Sequence, residues 1–185
     1  MRLTPTGLRV GNRTLPLEIG RGGLRRDKRE GDGATPIGRL RILEMFWRAD
    51  RLPRPAPWAR PIGPHDLWCD AVDHPHYNQR VRAPFHASHE TLRRADPLYD
   101  IVLVTDWNYP TAMPDHGSAI FLHQRRRAGY PTAGCLAFRR ADLLWLAQRL
   151  EPGAEIEIPP LACFLLEQNT SGSGAAPRGL PHDKV

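Results

Sequence analysis

Apolar residues in this chain come in short runs, each cut off by turn formers. Leu8, Val10 and then Leu15, Leu17 and Ile19 flank Gly11-Asn12, which predicts a small hairpin. Residues 25–33 are polar and glycine-rich and read as an exposed loop; Pro36 and Gly38 lead into a strand over 40–43. Five prolines between 52 and 64 predict an irregular connection. Residues 88–94 read as a short helix. The β-branched run Ile101-Val102-Leu103-Val104 predicts a buried strand, and 119–122 predicts another. Apolar positions 143, 144, 146, 147 and 150 share a helical face over 142–150. Pro152-Gly153 closes that helix, and Glu155-Ile156-Glu157-Ile158 is the last strand. The expected fold is mainly β: a single antiparallel β-sandwich or barrel-like domain with one or two short helices. It occupies residues 1–166, and a Gly/Ser-rich flexible tail follows over 167–185.

Composition narrows this picture. A chain of 185 residues is large enough for one core, and 41% hydrophobic against 25% charged excludes wholesale disorder. No apolar run is long enough to span a membrane, and residues 1–20 lack the apolar stretch of a secretion signal. Three cysteines without a repeated spacing make no disulfide framework. The net charge is +6, and all basic residues except Lys28 and Lys184 are arginine. Such a balance suits nucleic acid, an anionic surface or an acidic small substrate. No helix has a sustained basic face and no basic-aromatic module appears, so nucleic acid is not expected as a partner.

The candidate chemistry lies in 117–137. If 117–123 is a strand, Ala119, Phe121 and His123 share one face, and His123 stands at the strand's end. Cys135 follows Gly134, a residue that allows close backbone approach with N–H groups turned to an oxyanion. A cysteine beside a histidine is the minimum for a thiol nucleophile, and arginines 125–127 and 139–140 would favour thiolate if they lay near it. The bland alternative is a small buried thiol and a satisfied strand-end imidazole. His65, Cys69, His74 and His76, with His86 and His89 beyond, form a rival cluster. Their spacing matches no zinc module, and no metal is expected. Cys163 reads as packing.

Three stretches together resemble the L,D-transpeptidase catalytic-domain family of peptidoglycan-modifying enzymes: Lys28 to Gly38 with its Gly-Asp-x-x-Thr-Pro-x-Gly turn, then His123, then Thr132-Ala-Gly-Cys135. Trp68-Cys-Asp-Ala-Val-Asp, Tyr77-Asn78, Leu98-Tyr-Asp-Ile-Val and Gly117-Ser-Ala-Ile-Phe-Leu are similar to one branch of it. The resemblance implies a cysteine acyltransferase working through a thioester. Cys135 would be the nucleophile and His123 the general base and acid; Gly134 and Thr132 would support the oxyanion loop. The implied partners are peptidoglycan stem peptides or muropeptides, with no metal or organic cofactor. Many members carry His before the Gly-Cys pair and Arg two residues after the cysteine; here those positions are Ala133 and Ala137, so Arg139 or Arg140 is the expected substitute grip on a substrate carboxylate. An L,D-carboxypeptidase-like hydrolase and a non-catalytic wall-binding module are the alternatives. The resemblance implies the periplasm or cell envelope, and the absence of a visible signal leaves the cytoplasm open.

Overall fold

The computed structural model describes residues 1–160. The expected tail over 167–185, and residues 161–166 with Cys163, lie outside the described residues. In chain order the strands are β1 (Arg2–Thr4), β2 (Gly7–Val10), β3 (Arg13–Leu15), β4 (Leu17–Glu18), β5 (Leu24–Arg25), β6 (Thr35–Pro36), β7 (Gly38–Trp47), β8 (Arg60–Pro61), β9 (Asp66–Cys69), β10 (Arg80–Arg82), β11 (His89–Thr91), β12 (Ile101–Thr105), β13 (Phe121–Gln124) and β14 (Leu136–Phe138), followed by helix α1 (Arg140–Ala147) and β15 (Glu155–Ile158).

The main sheet runs β3-β2-β1-β15-β7-β12-β13-β14-β4, with β8 added beside β7. Its two ends, β3 and β4, are consecutive in the chain and separated only by Pro16, so the sheet curls into a nearly closed barrel. Among the described residues eight of the twelve strand pairings are antiparallel; of the four parallel ones, β13 with β14 is the pair that builds the site.

Two apolar layers explain the continuous run in β12. Ile101 and Leu103 point into one layer with Ile42, Met45, Leu122, Phe138 and the buried face of α1. Val102 and Val104 point into the other, with Phe46, Trp68, Tyr99 and Phe121. A strand covered on both faces has no polar side to show. The second layer is closed by a small sheet, β10-β9-β11, whose Trp68 meets Phe121 edge-on at 5.0 Å between ring centroids.

Two expectations are corrected. Residues 88–94 are not a helix. His89–Thr91 is strand β11, which completes the edge of β9 by pairing Glu90 with Trp68. A lone seven-residue helix gains less than that ladder supplies. The strand expected over 119–122 begins only at Phe121, because Gly117 (φ 85°) and Ala119 (φ 51°) are left-handed rather than extended.

Candidate functional site

Parallel pairing brings the two key side chains together. In the β13–β14 ladder Leu122 faces Leu136 and His123 faces Ala137. Partners in a ladder share a face, and so do residues two apart along a strand. Cys135, two residues before Ala137, therefore lies on the His123 side. Both line a cavity of about 550 Å³, a size typical of small-molecule sites.

The Cys135 thiol is held by backbone. Its S–H donates to the Ala119 carbonyl at 3.0 Å, and the Phe121 N–H approaches Sγ at 3.4 Å. Cys135 is half-buried, and the packed protein around it pushes the thiol up to about 12. Neither arginine cluster offsets that burial. His123 is buried, and burial lowers its imidazole to about 4. Its Nδ1 lies 2.8 Å from the Gln124 carbonyl. A carbonyl only accepts, so Nδ1 carries the proton and Nε2 keeps its lone pair. The resting site is thus a neutral thiol and a neutral imidazole of fixed tautomer. Tyr99, also buried, packs edge-on against the His123 ring at 5.3 Å.

The nucleophile loop is pinned from below. Thr132 Oγ1 donates to the Cys135 carbonyl at 2.7 Å and accepts the Gly134 N–H at 3.0 Å. Gly134 has φ 142°, and a Cβ there would stand 2.8 Å from the Ala34 carbonyl oxygen. The glycine is therefore required by contact with the early turn rather than by close approach of a ligand. That turn is also a wall of the site. Thr35 Oγ1 donates to the Gly134 carbonyl at 2.8 Å and accepts the Gly20 N–H at 2.9 Å. Asp32 folds the turn by accepting from Lys28 Nζ and the Arg29 and Ala34 N–H groups, and Glu30 and Gly31 reach the cavity.

Arg139 and Arg140, the expected carboxylate grip, do not line the cavity. β14 ends at Phe138, so both belong to the start of α1: Arg139 Nε pairs with Asp142 at 2.7 Å and Arg140 with Asp100 at 2.9 Å. The arginines on the cavity are Arg21, Arg94 and Arg126. Sequence reasoning named Arg126 only within the 125–127 cluster; it missed Arg21 and Arg94, and it gave no role to Tyr99, Glu90 and Asp70 on the same cavity. It also missed the role of Asn78, which the Tyr77-Asn78 match could have flagged. Buried Asn78 accepts from Trp68 Nε1 and the Ala119 N–H, and donates to the Trp107 and Asn108 carbonyls.

The rival histidine cluster is partly gathered, with the His74 and His76 rings 5.5 Å apart and Phe85 against both His74 and His89, but it does not converge as a ligand set. Cys69 is buried inside β9, and the His74 ring packs against Phe85. Among the described residues no group of three His, Cys, Asp or Glu could hold a metal ion. No helix there is long and apolar enough to cross a membrane.

No curated protein and no solved structure gives a significant match to the chain. The YkuD family model, the L,D-transpeptidase catalytic domain, matches residues 6–158 and so takes in the early turn, the β13–β14 pair and the cavity between them. With that match spanning most of its length, the chain belongs to the L,D-transpeptidase catalytic-domain family.

Proposed function

We propose that this protein is a cysteine acyltransferase acting on peptidoglycan stem peptides, with Cys135 as nucleophile and His123 as its base. The observation that carries the reading is a thiol and a tautomerically fixed imidazole on one face of a parallel strand pair, both open to a single cavity. Cys135 attacks the carbonyl at the third residue of a stem tetrapeptide. The thiol proton passes to His123 Nε2 as the S–C bond forms, so no separated thiolate is needed beforehand. The tetrahedral oxyanion is met by backbone N–H; the Gly134 N–H is already bonded to Thr132, which leaves that of Cys135. Collapse breaks the C–N bond, and His123 returns its proton to the departing D-alanine amine. The thioester is then resolved by an amine of a second stem peptide. The site of action is the cell envelope, which fractionation of the untagged protein checks.

The direct test is incubation with tetrapeptide muropeptides, read by mass spectrometry. D-Alanine release and an adduct on Cys135 are expected, both lost in Cys135→Ala. Release that survives Cys135→Ala, or no release from any tetrapeptide donor, overturns the reading. Release with water as the only acceptor would make it a carboxypeptidase instead.

A further inference from the structure

The part given to His123 depends on one setting of its ring. An imidazole has two settings about its outer side-chain bond, and turning from one to the other exchanges each nitrogen for a carbon. The Gln124 carbonyl, 2.8 Å from Nδ1, favours one of them. A single hydrogen bond biases such an equilibrium only about fivefold. Further support comes from residues 94–99. They first help to hold the Gln124 backbone still. The Gln124 N–H donates to the Leu98 carbonyl at 3.0 Å, and on its other side the Arg125 N–H donates to the Phe138 carbonyl at 2.7 Å. The Leu98 N–H in turn donates to Asp96 Oδ1 at 3.1 Å.

The same segment also holds the ring. Buried Tyr99 stands edge-on to His123, with centroids 5.3 Å apart and planes at 75°. The Tyr99 ring meets Phe121 as well, at 6.2 Å. The Arg94 guanidinium lies over the Tyr99 ring, 5.2 Å from its centroid. That guanidinium is fixed by a two-pronged pair with Asp96: Nε donates to Oδ1 at 2.9 Å and Nη2 to Oδ2 at 2.7 Å. Glu90 is a second acidic neighbour at 3.9 Å. The backbone here is anchored separately. Arg48 Nη1 donates to the Arg94 carbonyl at 2.6 Å, and Arg51 Nη2 to that of Ala95 at 2.9 Å. Contact thus runs unbroken from the Asp96 carboxylate through the Arg94 guanidinium and the Tyr99 ring to the imidazole.

Resting on the acyltransferase reading above, we propose that Tyr99 and Arg94 are positioning residues for the base. The guanidinium fixed by Asp96 clamps the Tyr99 ring, and Tyr99 holds His123 in the setting that keeps Nδ1 on Gln124 and leaves Nε2 for the Cys135 proton. Their part is geometric. An edge contact between rings favours one setting by roughly another fivefold. With the hydrogen bond, it leaves only about one molecule in twenty-five in the wrong setting.

Two measurements test this. In the first, proton–nitrogen NMR of the imidazole rings is recorded on the full chain at pH 7, the His123 signals being those that vanish in His123→Gln. The tautomer follows the hydrogen bond, so a lost setting shows as a departure from the Nδ1–H pattern. The parent and Tyr99→Phe, which keeps the ring edge, should show that pattern. Tyr99→Leu should move about one-sixth of the way to the Nε2–H pattern, and Arg94→Ala in the same direction. An unmoved pattern in both overturns the proposal; movement in Tyr99→Leu alone overturns the part of Arg94. Should Tyr99→Leu not fold, Arg94→Ala decides, because Arg48 and Arg51 still hold the loop backbone. The second measurement is D-alanine release from a tetrapeptide donor. Arg94 also lines the cavity, where a contact with substrate would show in KM. Positioning instead lowers kcat, at least about threefold in Tyr99→Leu and Arg94→Ala, with KM within about twofold of the parent, and Tyr99→Phe restores the parent behaviour. A raised KM with kcat unchanged overturns it. If the parent forms no acyl-enzyme, the reading of Cys135 fails on its own, and the NMR measurement still decides what holds His123.

Discussion

Asn78 accepts the Ala119 N–H at 2.9 Å, and this bond holds Ala119 in the left-handed conformation from which its carbonyl receives the Cys135 thiol. An alanine at positive φ costs about 1 kcal/mol and persists only when its surroundings enforce it. Asn78 does so while also tying Trp68 to the 107–108 loop. Asn78→Ala should therefore destabilise the fold by about 3 kcal/mol in urea unfolding and reduce turnover together with stability. Asn78→Gly tolerates the positive φ of residue 78 and should recover only about 1 kcal/mol of that loss. Full recovery would show that backbone conformation, not the hydrogen-bond network, is what Asn78 provides.

Thr35 couples the early turn to the nucleophile loop through one hydroxyl, which donates to Gly134 and accepts from Gly20. Thr35→Val keeps the shape and leaves two buried backbone groups unpaired, a loss of about 2 kcal/mol. Thr35→Ser keeps both bonds and should lie within about 1 kcal/mol of the parent. The same order should appear in the acylation rate, since the Gly134 carbonyl fixes the loop carrying Cys135. Equal stability of the Val and Ser variants would remove Thr35 from the site's support.

The strand run 101–104 was legible because burial on both faces leaves an unbroken apolar signal. That Cys135 and His123 line one cavity was legible because a fixed order of motifs carried it. The carboxylate grip was not. Arg139 and Arg140 look adjacent to the nucleophile in sequence, but a three-residue strand ends before them, and they turn instead to Asp142 of α1 and to Asp100 just before β12. Arg21, Arg94 and Arg126 come from separate loops, and only tertiary closure gathers them. Likewise Asp70 and Glu90 meet through a β9–β11 ladder that a helix over 88–94 would have forbidden. Local pattern identifies elements; which charges share a cavity depends on register, and register is not written locally.

Stability should fall in acid through His123. Its folded value, lowered to about 4 by burial, lies below the ordinary imidazole value of 6.5. Between these limits the unfolded chain binds more protons than the folded one, so the contribution is whole above pH 6.5 and is lost as pH falls toward 4. The full difference corresponds to about 3 kcal/mol. Urea unfolding at pH 7, 5.5 and 4.5 should show the decline. His123→Gln should flatten that part of the profile, leaving the steeper carboxylate losses below pH 4. An identical slope in the variant would mean that His123 is solvated and titrates normally.

Thiol chemistry distinguishes the neutral resting pair from a thiolate–imidazolium pair. Burial holds the Cys135 thiol up near 12, above the ordinary value of 9.0, and its proton rests on the Ala119 carbonyl. Alkylation by iodoacetamide requires the thiolate. The rate at Cys135 should therefore climb about tenfold per pH unit from pH 7 to pH 10, with no plateau in that range. His123→Gln should leave this dependence intact, because the imidazole is not the group that ionises the resting thiol. Cys69, buried in β9 and also raised by desolvation, should label more slowly than Cys135, whose side chain opens on the cavity. A plateau near pH 7 that disappears in His123→Gln would demonstrate a preformed ion pair. In that case proton transfer precedes attack, and the bond from Cys135 to Ala119 must break in the resting enzyme rather than during acylation.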